Sequence, residues 1–573
     1  MRFRSVQLLA VVLTLGLALP AAFAQTADDL IDPPPGEWPQ LGRDASQTRF
    51  SPLDQINTEN VGDLAIAWAR DLGFQQAHQG SPSVWDGIMY ISVQTGVLAL
   101  DATNGSVLWE YSSPNIGDVI TDTAVRGAPI VYDGKVYATL RYGATVALDA
   151  KTGEELWFSQ LTQEELNEGF TTNPIFANGN IVQAPSGADF GGAPGKIHAV
   201  GAEDGELLWT FDIVPMSPDD PAYETWTNPP GWEAGIGGAS AWNSGAYDPL
   251  SNTILYGTGQ PTPWDRIDDR RADPPGEVTS DLYTVSWVAV DADTGEIRWY
   301  HQIVPGDEWD SDQHTVPLFA TIDYNGETRR VAIMATTTGY VLVVDAITGR
   351  MLEAHPGAEE FTVHLGFDED FNPIISEEAR QITQSGEYFR LCPGLRWAHI
   401  APPAFSNDTG LYYRPNQMGC IQYQGQTMPE DWSAGDPAYF FGVGPAEEDD
   451  WFDRLGALTA FDPVTGEVAW EFAYDYGYDA APVATAGGLV MSGFTDRIFR
   501  AFDAATGEVL FEQTLTAGGR GGTITYEVDG TQYVAVITGM NAPSPAVIPD
   551  YNPNVDQPLP VAGNASVFVF ALR

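Results

Sequence analysis

The chain has 573 residues, 43% of them hydrophobic, enough to bury a sizeable core. Its formal net charge of −52 excludes nucleic acid as a partner, because phosphate binding needs clustered cations, and fits a soluble, salt-adapted surface. Two cysteines and no C-x-x-C-H run exclude a c-type haem attached to this chain.

Met1–Ala24 has the form of a cleaved export signal. Arg2 and Arg4 precede an apolar run from Leu8 to Leu19, and Ala22-Phe23-Ala24 supplies a small-x-small cleavage site. The run is too short to span a bilayer, and no later stretch reads as a membrane span. A periplasmic or secreted protein is expected, with residues 25–573 forming one domain. In an oxidising compartment Cys392 and Cys420 read as one disulfide.

After a turn-rich lead-in, Pro33–Leu53, one phrase recurs along the chain. Ala99–Trp109 reads ALDATNGSVLW, Ala147–Trp157 ALDAKTGEELW, Ala289–Trp299 AVDADTGEIRW and Ala460–Trp470 AFDPVTGEVAW. Looser copies lie at Ala199–Trp209, Val343–Glu353 and Ala501–Phe511. Alternating apolar residues lead into an Asp that opens a turn, and a Gly supplies positive φ. A second strand then carries a Trp wide enough to reach a neighbouring unit. Such a module cannot bury its apolar face alone, and repetition at roughly 40–50 residues is the mark of propeller blades.

The ends hold an eighth copy in two pieces. Phe568–Leu572 matches its first half and Asn60–Trp68 its second. The expected fold is therefore all-β: an eight-bladed β-propeller of four-stranded antiparallel sheets. N- and C-terminal strands share one blade and close the ring, leaving no free edge. Long irregular stretches at 212–238, 261–280, 354–391 and 421–451 are expected to crowd one face and shape a pocket there.

The densest chemistry is Pro305–His314, PGDEWDSDQH. Asp310 and Asp312 alternate as on a strand, so both are expected to face one side. Two carboxylates held together share a proton or hold a cation, and oxygen ligands suit a hard one. A solvated acidic loop is the plain alternative in so acidic a chain.

Several phrases resemble the quinoprotein alcohol dehydrogenases. They are Gly36-Glu37-Trp38, Arg49–Val61, Tyr256–Trp264, Ala484–Val490 and Tyr526–Gly530. The layout looks most similar to the soluble sorbose and sorbosone dehydrogenases. The resemblance implies pyrroloquinoline quinone (PQQ) and one Ca²⁺ or lanthanide ion. It implies oxidation of an alcohol, polyol or sugar-type hydroxyl, with electrons passed to a soluble acceptor such as a cytochrome c.

The same resemblance assigns roles by position. Asp310 of the D-x-W-D phrase becomes the catalytic base and a metal ligand. Asp312 matches the extra carboxylate of lanthanide-using members. Asp189 follows Ser-Gly-Ala where the family has a metal-binding Glu, and Gln260 stands for a metal-binding Asn. Trp242 becomes a stacking face for the quinone and Arg126 its ion-pair partner. Gln79, Thr171, Ser186, Gly187 and Ala188 become further quinone contacts, and Arg396 replaces a family Asn.

Other positions depart from the family pattern. Ile120 and Thr121 replace a vicinal cysteine pair, Thr337 a basic residue and Asp479 a Trp. A non-catalytic propeller that kept the fold and serves as a binding module is the rival expectation these departures raise.

Overall fold

The computed structural model describes residues 25–573 apart from 74–77, 115–124, 163–167, 192, 229, 232–234, 265–278, 395–396, 399, 428, 430–440, 445–453, 478–479 and 541–562. The expected export signal, residues 1–24, lies outside the described residues, as do Ile120, Thr121, Arg396 and Asp479.

Among the described residues the regular structure is mostly strand. Seven sheets there have four strands, and an eighth gains a fifth because Phe50–Ser51 pairs in parallel with its first strand. The sheet of Ser83–Trp85, Ile88–Val93, Gly96–Asp101 and Val107–Ser112 is the pattern for the rest. The strands run in sequence order, each antiparallel to the last. Sheets over 130–160, 175–212, 246–302, 318–356, 404–474 and 483–514 repeat it. The remaining sheet joins the chain ends. Leu64–Asp71 pairs antiparallel with Gly563–Leu572, beside Thr531–Met540 and Gly519–Val528.

The repeated phrase is the hairpin between the third and fourth strands. Ala99 pairs with Trp109, Ala147 with Trp157 and Ala289 with Trp299, and a bulge follows each pair. The phrase Asp organises the turn, as Asp149 Oδ1 accepts from the backbone N–H groups of Lys151 and Thr152 at 3.0 and 2.8 Å.

The Trp reaches the next sheet. In five copies its indole N–H donates to the carbonyl of the Ala that follows the phrase Asp, or Gly201 in its place, in the next copy. Trp68 reaches Ala102 at 3.1 Å, Trp109 reaches Ala150 at 3.0 Å, and Trp157 reaches Ala202 at 3.1 Å. Trp209 reaches Ala292 at 3.1 Å and Trp470 reaches Ala504 at 2.9 Å. The turn Gly is the floor under that ring: a Cβ on Gly153 would lie 2.6 Å from Trp109. The phrase Gly therefore has two reasons to be Gly, its φ of +73° and this close approach.

The copy without a Trp solves the same problem differently. His355, two residues beyond Glu353, sets Nε2 3.2 Å from the Pro463 carbonyl and packs over Gly466. Last in the series, Phe511 meets Phe570 of the sheet that joins the two ends. Apolar clusters fill the space between successive sheets, as Leu98, Leu100 and Trp68 do with Val567 and Phe570.

Candidate functional site

The acidic loop at Gly306–His314 is not a strand; one of its own carboxylates shapes it. Asp307 accepts from the backbone N–H groups of Trp309 (3.3 Å) and Ser311 (3.0 Å). Trp309 is buried and donates its indole N–H to Thr383 Oγ1 at 2.8 Å, in the helix Glu377–Ser385. From that helix Arg380 stacks over Trp309 and pairs with buried Glu308. So clasped, the loop holds Asp310 at φ +59°, a left-handed conformation that Asp tolerates better than most residues. This corrects the expectation that Asp310 and Asp312 alternate along a strand and face one side.

Asp312 is 5% exposed. Its Oδ1 accepts the backbone N–H of Gln260 at 2.6 Å, and its Oδ2 accepts the Trp242 indole N–H at 2.7 Å. The Thr337 hydroxyl donates to its backbone carbonyl. Asp189 is 3% exposed, in the helical turn Ala188–Gly191, and its Oδ1 accepts the Ser240 backbone N–H at 2.9 Å. The two carboxylates converge above Gly259. A Cβ there would lie 2.8 Å from Asp189 Oδ1 and 3.0 Å from Asp312 Oδ1. Burial pushes the Asp312 carboxyl up to about 7, and burial followed by the Asp312 charge pushes Asp189 well up.

Two buried carboxylates that converge, with the backbone of buried Gln260 bonded to one of them, offer oxygen donors, which fits a hard cation. Such a charge would replace the proton the pair otherwise needs. Asp310 is not part of this tight group. Among the described residues, Asp189, Asp310 and Asp312 do not offer three oxygens within 4.8 Å of one another. Asp310 instead lines an adjacent cleft with Thr337, Thr338, His364 and Cys392. Cys392 is disulfide-bonded to Cys420.

Of the expected quinone contacts, Arg126 and Thr171 meet Trp242 directly. The Arg126 guanidinium carbon is 5.0 Å from the Trp242 ring centroid, and Arg126 Nε donates to Gln79 Oε1 at 2.9 Å. Gln79 and Arg126 are parallel strand partners, which fixes that contact. Thr171 donates its hydroxyl to the Trp242 carbonyl at 2.6 Å, holding the indole's backbone. Ser186 is tied to Gly169 by backbone bonds and by its hydroxyl at 3.0 Å. Gly187 follows at φ +106° and Ala188 is buried against the Thr262 hydroxyl. The His314 ring stacks on Trp242, centroids 4.7 Å apart.

Two arginines that sequence reasoning missed join Arg126. Arg520 lines one narrow cleft with it, and Arg141 lines another. Burial pushes Arg141 down to about 10, so it stays charged at neutral pH. Arg126 lies against the indole and shares a cleft with each of the other two, and guanidinium groups so placed fit an anion, all the more in a chain with 78 acidic and 26 basic residues. No motif marks Arg141 or Arg520; only the ring geometry brings them together.

A family model described as the glucose/ethanol/alcohol dehydrogenase β-propeller domain (PQQ) matches residues 38–128, 160–355 and 451–534. The quinohemoprotein alcohol dehydrogenase ADH-IIG of Pseudomonas putida is 34% identical over 533 residues, 89% of this chain and 73% of that protein. The quinoprotein alcohol dehydrogenase PedH of Pseudomonas putida is 30% identical over 94% of this chain and 93% of that protein. Among solved structures, a europium-containing methanol dehydrogenase superposes with a TM-score of 0.84 at 28% identity, over 95% of this chain and 100% of that one. These matches do not favour the non-catalytic rival. The chain belongs to the PQQ-dependent quinoprotein alcohol dehydrogenase family.

Proposed function

We propose that the eight sheets close into one propeller ring whose mouth oxidises a hydroxyl-bearing substrate. In this reading Asp189, Gln260 and Asp312 hold a Ca²⁺ or lanthanide ion. Arg126, with Gln79, Thr171, Ser186, Gly187, Ala188 and Trp242, seats PQQ, and Arg396 adds positive charge. When bound, PQQ supplies a carbonyl carbon that accepts hydride, and the ion supplies a Lewis acid beside it.

The protein's own part is binding, orientation and proton removal. Asp310, held at the lip of the cleft by the Asp307 clasp, takes the substrate hydroxyl proton as general base. Trp309 and the disulfide-bonded Cys392 line the same cleft as that carboxylate. Export to the periplasm follows from residues 1–24. The acidic surface steers a basic electron acceptor such as a cytochrome c.

The observation that carries this reading is the convergence of buried Asp189 and Asp312 on Gly259, one hydrogen bond from Trp242. The test is reconstitution with PQQ plus Ca²⁺, then plus a light lanthanide. The absorbance spectrum and dye-linked oxidation of an alcohol and polyol panel are followed. A bound-quinone spectrum with metal-dependent turnover is expected, and no quinone uptake under either metal overturns the reading.

A further inference from the structure

The Asp310 loop rests on a small platform outside the eight sheets. Its parts are the helix Glu377–Ser385 and a three-stranded sheet of Phe389–Leu391, Ile421–Gly425 and Phe441–Val443, with Ile421–Gly425 in the middle. Leu391 pairs with Ile421, and the disulfide between their neighbours Cys392 and Cys420 pins the two strands at that end. The helix closes on the middle strand. A Cβ on Gly425 would lie 2.5 Å from the Thr383 carbonyl, and Gln424 Nε2 donates to the Gly386 carbonyl at 2.8 Å.

Tyr423, at the centre of that strand, is buried. Phe441 stacks on its ring with centroids 5.5 Å apart, Trp264 stacks on Phe441 at 5.4 Å, and Phe389 meets the Tyr423 ring edge-on at 5.9 Å. From this fixed ring the phenol hydroxyl donates to the Glu308 carbonyl.

That carbonyl shares a peptide plane with the Trp309 N–H, which donates to Asp307 Oδ1 at 3.3 Å. The plane is therefore gripped at both polar ends, once from within the loop and once from the platform. Trp309 is tethered again where its indole N–H meets Thr383, and the Ser311 N–H is tethered to Asp307 Oδ2. Asp310 spans these two tethered residues, and they hold it at a φ of +59° that a non-Gly residue adopts only when its surroundings impose it.

We infer that Tyr423 is a positioning residue for the reaction: by holding the Glu308–Trp309 peptide it aims the Asp310 carboxylate at the substrate hydroxyl. This rests on the proposed function, which makes Asp310 the base. Tyr423 itself moves no proton and touches no reacting atom. A base must lie within hydrogen-bond reach of the proton it takes, and a misplacement of about 1 Å costs up to about 100-fold. Without the phenol the peptide plane is free to turn, and Asp310 relaxes toward ordinary backbone angles.

The test is Tyr423→Phe, which keeps the ring in its stack and removes the hydroxyl. In the reconstituted holoenzyme kcat should fall about 10-fold, the worth of one hydrogen bond, with KM for the alcohol unchanged. A double-mutant cycle separates positioning from general support. In the Asp310→Asn background Tyr423→Phe should lower turnover no further, because no base remains to be aimed. An equal fall in both backgrounds overturns the proposal, and so does wild-type kcat in Tyr423→Phe.

A second readout needs no cofactor. Hydrogen exchange of the full chain, followed by mass spectrometry, should be about 10-fold faster at the Trp309 and Ser311 amides in Tyr423→Phe, while the sheet over 130–160 exchanges as in wild type. Unchanged exchange at those amides also overturns the proposal. Failure of the base reading is a different result: Asp310→Asn would keep its turnover, and the exchange difference made by Tyr423→Phe would persist.

Discussion

The indole N–H of Trp242 donates to Oδ2 of Asp312 at 2.7 Å, so the ring expected to face the quinone and a carboxylate expected to grip the ion are one hydrogen-bonded unit. Removing that donor should act on both ligands together. Trp242→Phe keeps an aromatic face and loses the bond, which is charge-assisted and worth about 1.5–3 kcal/mol. Metal affinity and quinone affinity, each titrated in the presence of the other, should both fall by about 10-fold or more. A variant that weakens quinone binding and leaves the metal titration untouched would show the two to be independent.

Asp310→Asn is the sharpest test of the base. Asn tolerates the +59° backbone angle as Asp does, so the loop should keep its shape. Turnover should fall by about 10²–10⁴-fold, with an unchanged circular dichroism spectrum and thermal midpoint. Wild-type turnover in this variant would remove Asp310 from the mechanism.

The Trp109–Gly153 contact sets up a coupling measurement. Trp109→Ala should destabilise the fold by about 3–5 kcal/mol through the lost burial of its indole. Gly153→Ala should also destabilise, because it places a Cβ 2.6 Å from the indole at a φ of +73°. In the Trp109→Ala background the steric part of that cost should vanish, leaving only the backbone part. Denaturant unfolding of the four proteins gives the coupling energy. Strict additivity would show that the ring and the Gly do not press on each other.

Glu37 predicts a pH dependence. Burial, together with the nearby Asp86 charge and against the Asp86 backbone N–H, pushes its carboxyl up to about 7. A folded-state value above the unfolded one means that ionisation is easier in the unfolded chain. This group therefore costs nothing below about pH 4, and its penalty grows between about pH 4 and 7. Glu37→Gln should stabilise by about 2 kcal/mol at pH 8 and by nothing at pH 4. Melting curves at both values decide it, and an equal shift at the two would rule out ionisation as the cause.

The repeated hairpins were legible because each carries its own local instructions, an Asp that ties the turn, a Gly at positive φ and a Trp for the next sheet. The pairing of Leu64–Asp71 with Gly563–Leu572 was legible for the same reason, as two halves of one phrase. His355 was not, because it takes the Trp's place from two residues further on, where no copy of the phrase predicts a contact.

At the site, the family resemblance proposed Asp312, Asp189 and Gln260, whereas local pattern proposed a strand through Asp310 and Asp312. It misjudged the Asp310–Asp312 segment because a period of two was assumed where Asp307 bends the backbone into a turn. Arg141 and Arg520 carried no signal, because only the clefts they share with Arg126 give them meaning.

The strand Gly563–Leu572 lies between Thr531–Met540 on one side and Leu64–Asp71 on the other. During synthesis Leu64–Asp71 must wait, its pairing edge uncovered, until Gly563–Leu572 has been made. Loss of that late strand would strip the partner from two others at once, one from each end of the described chain.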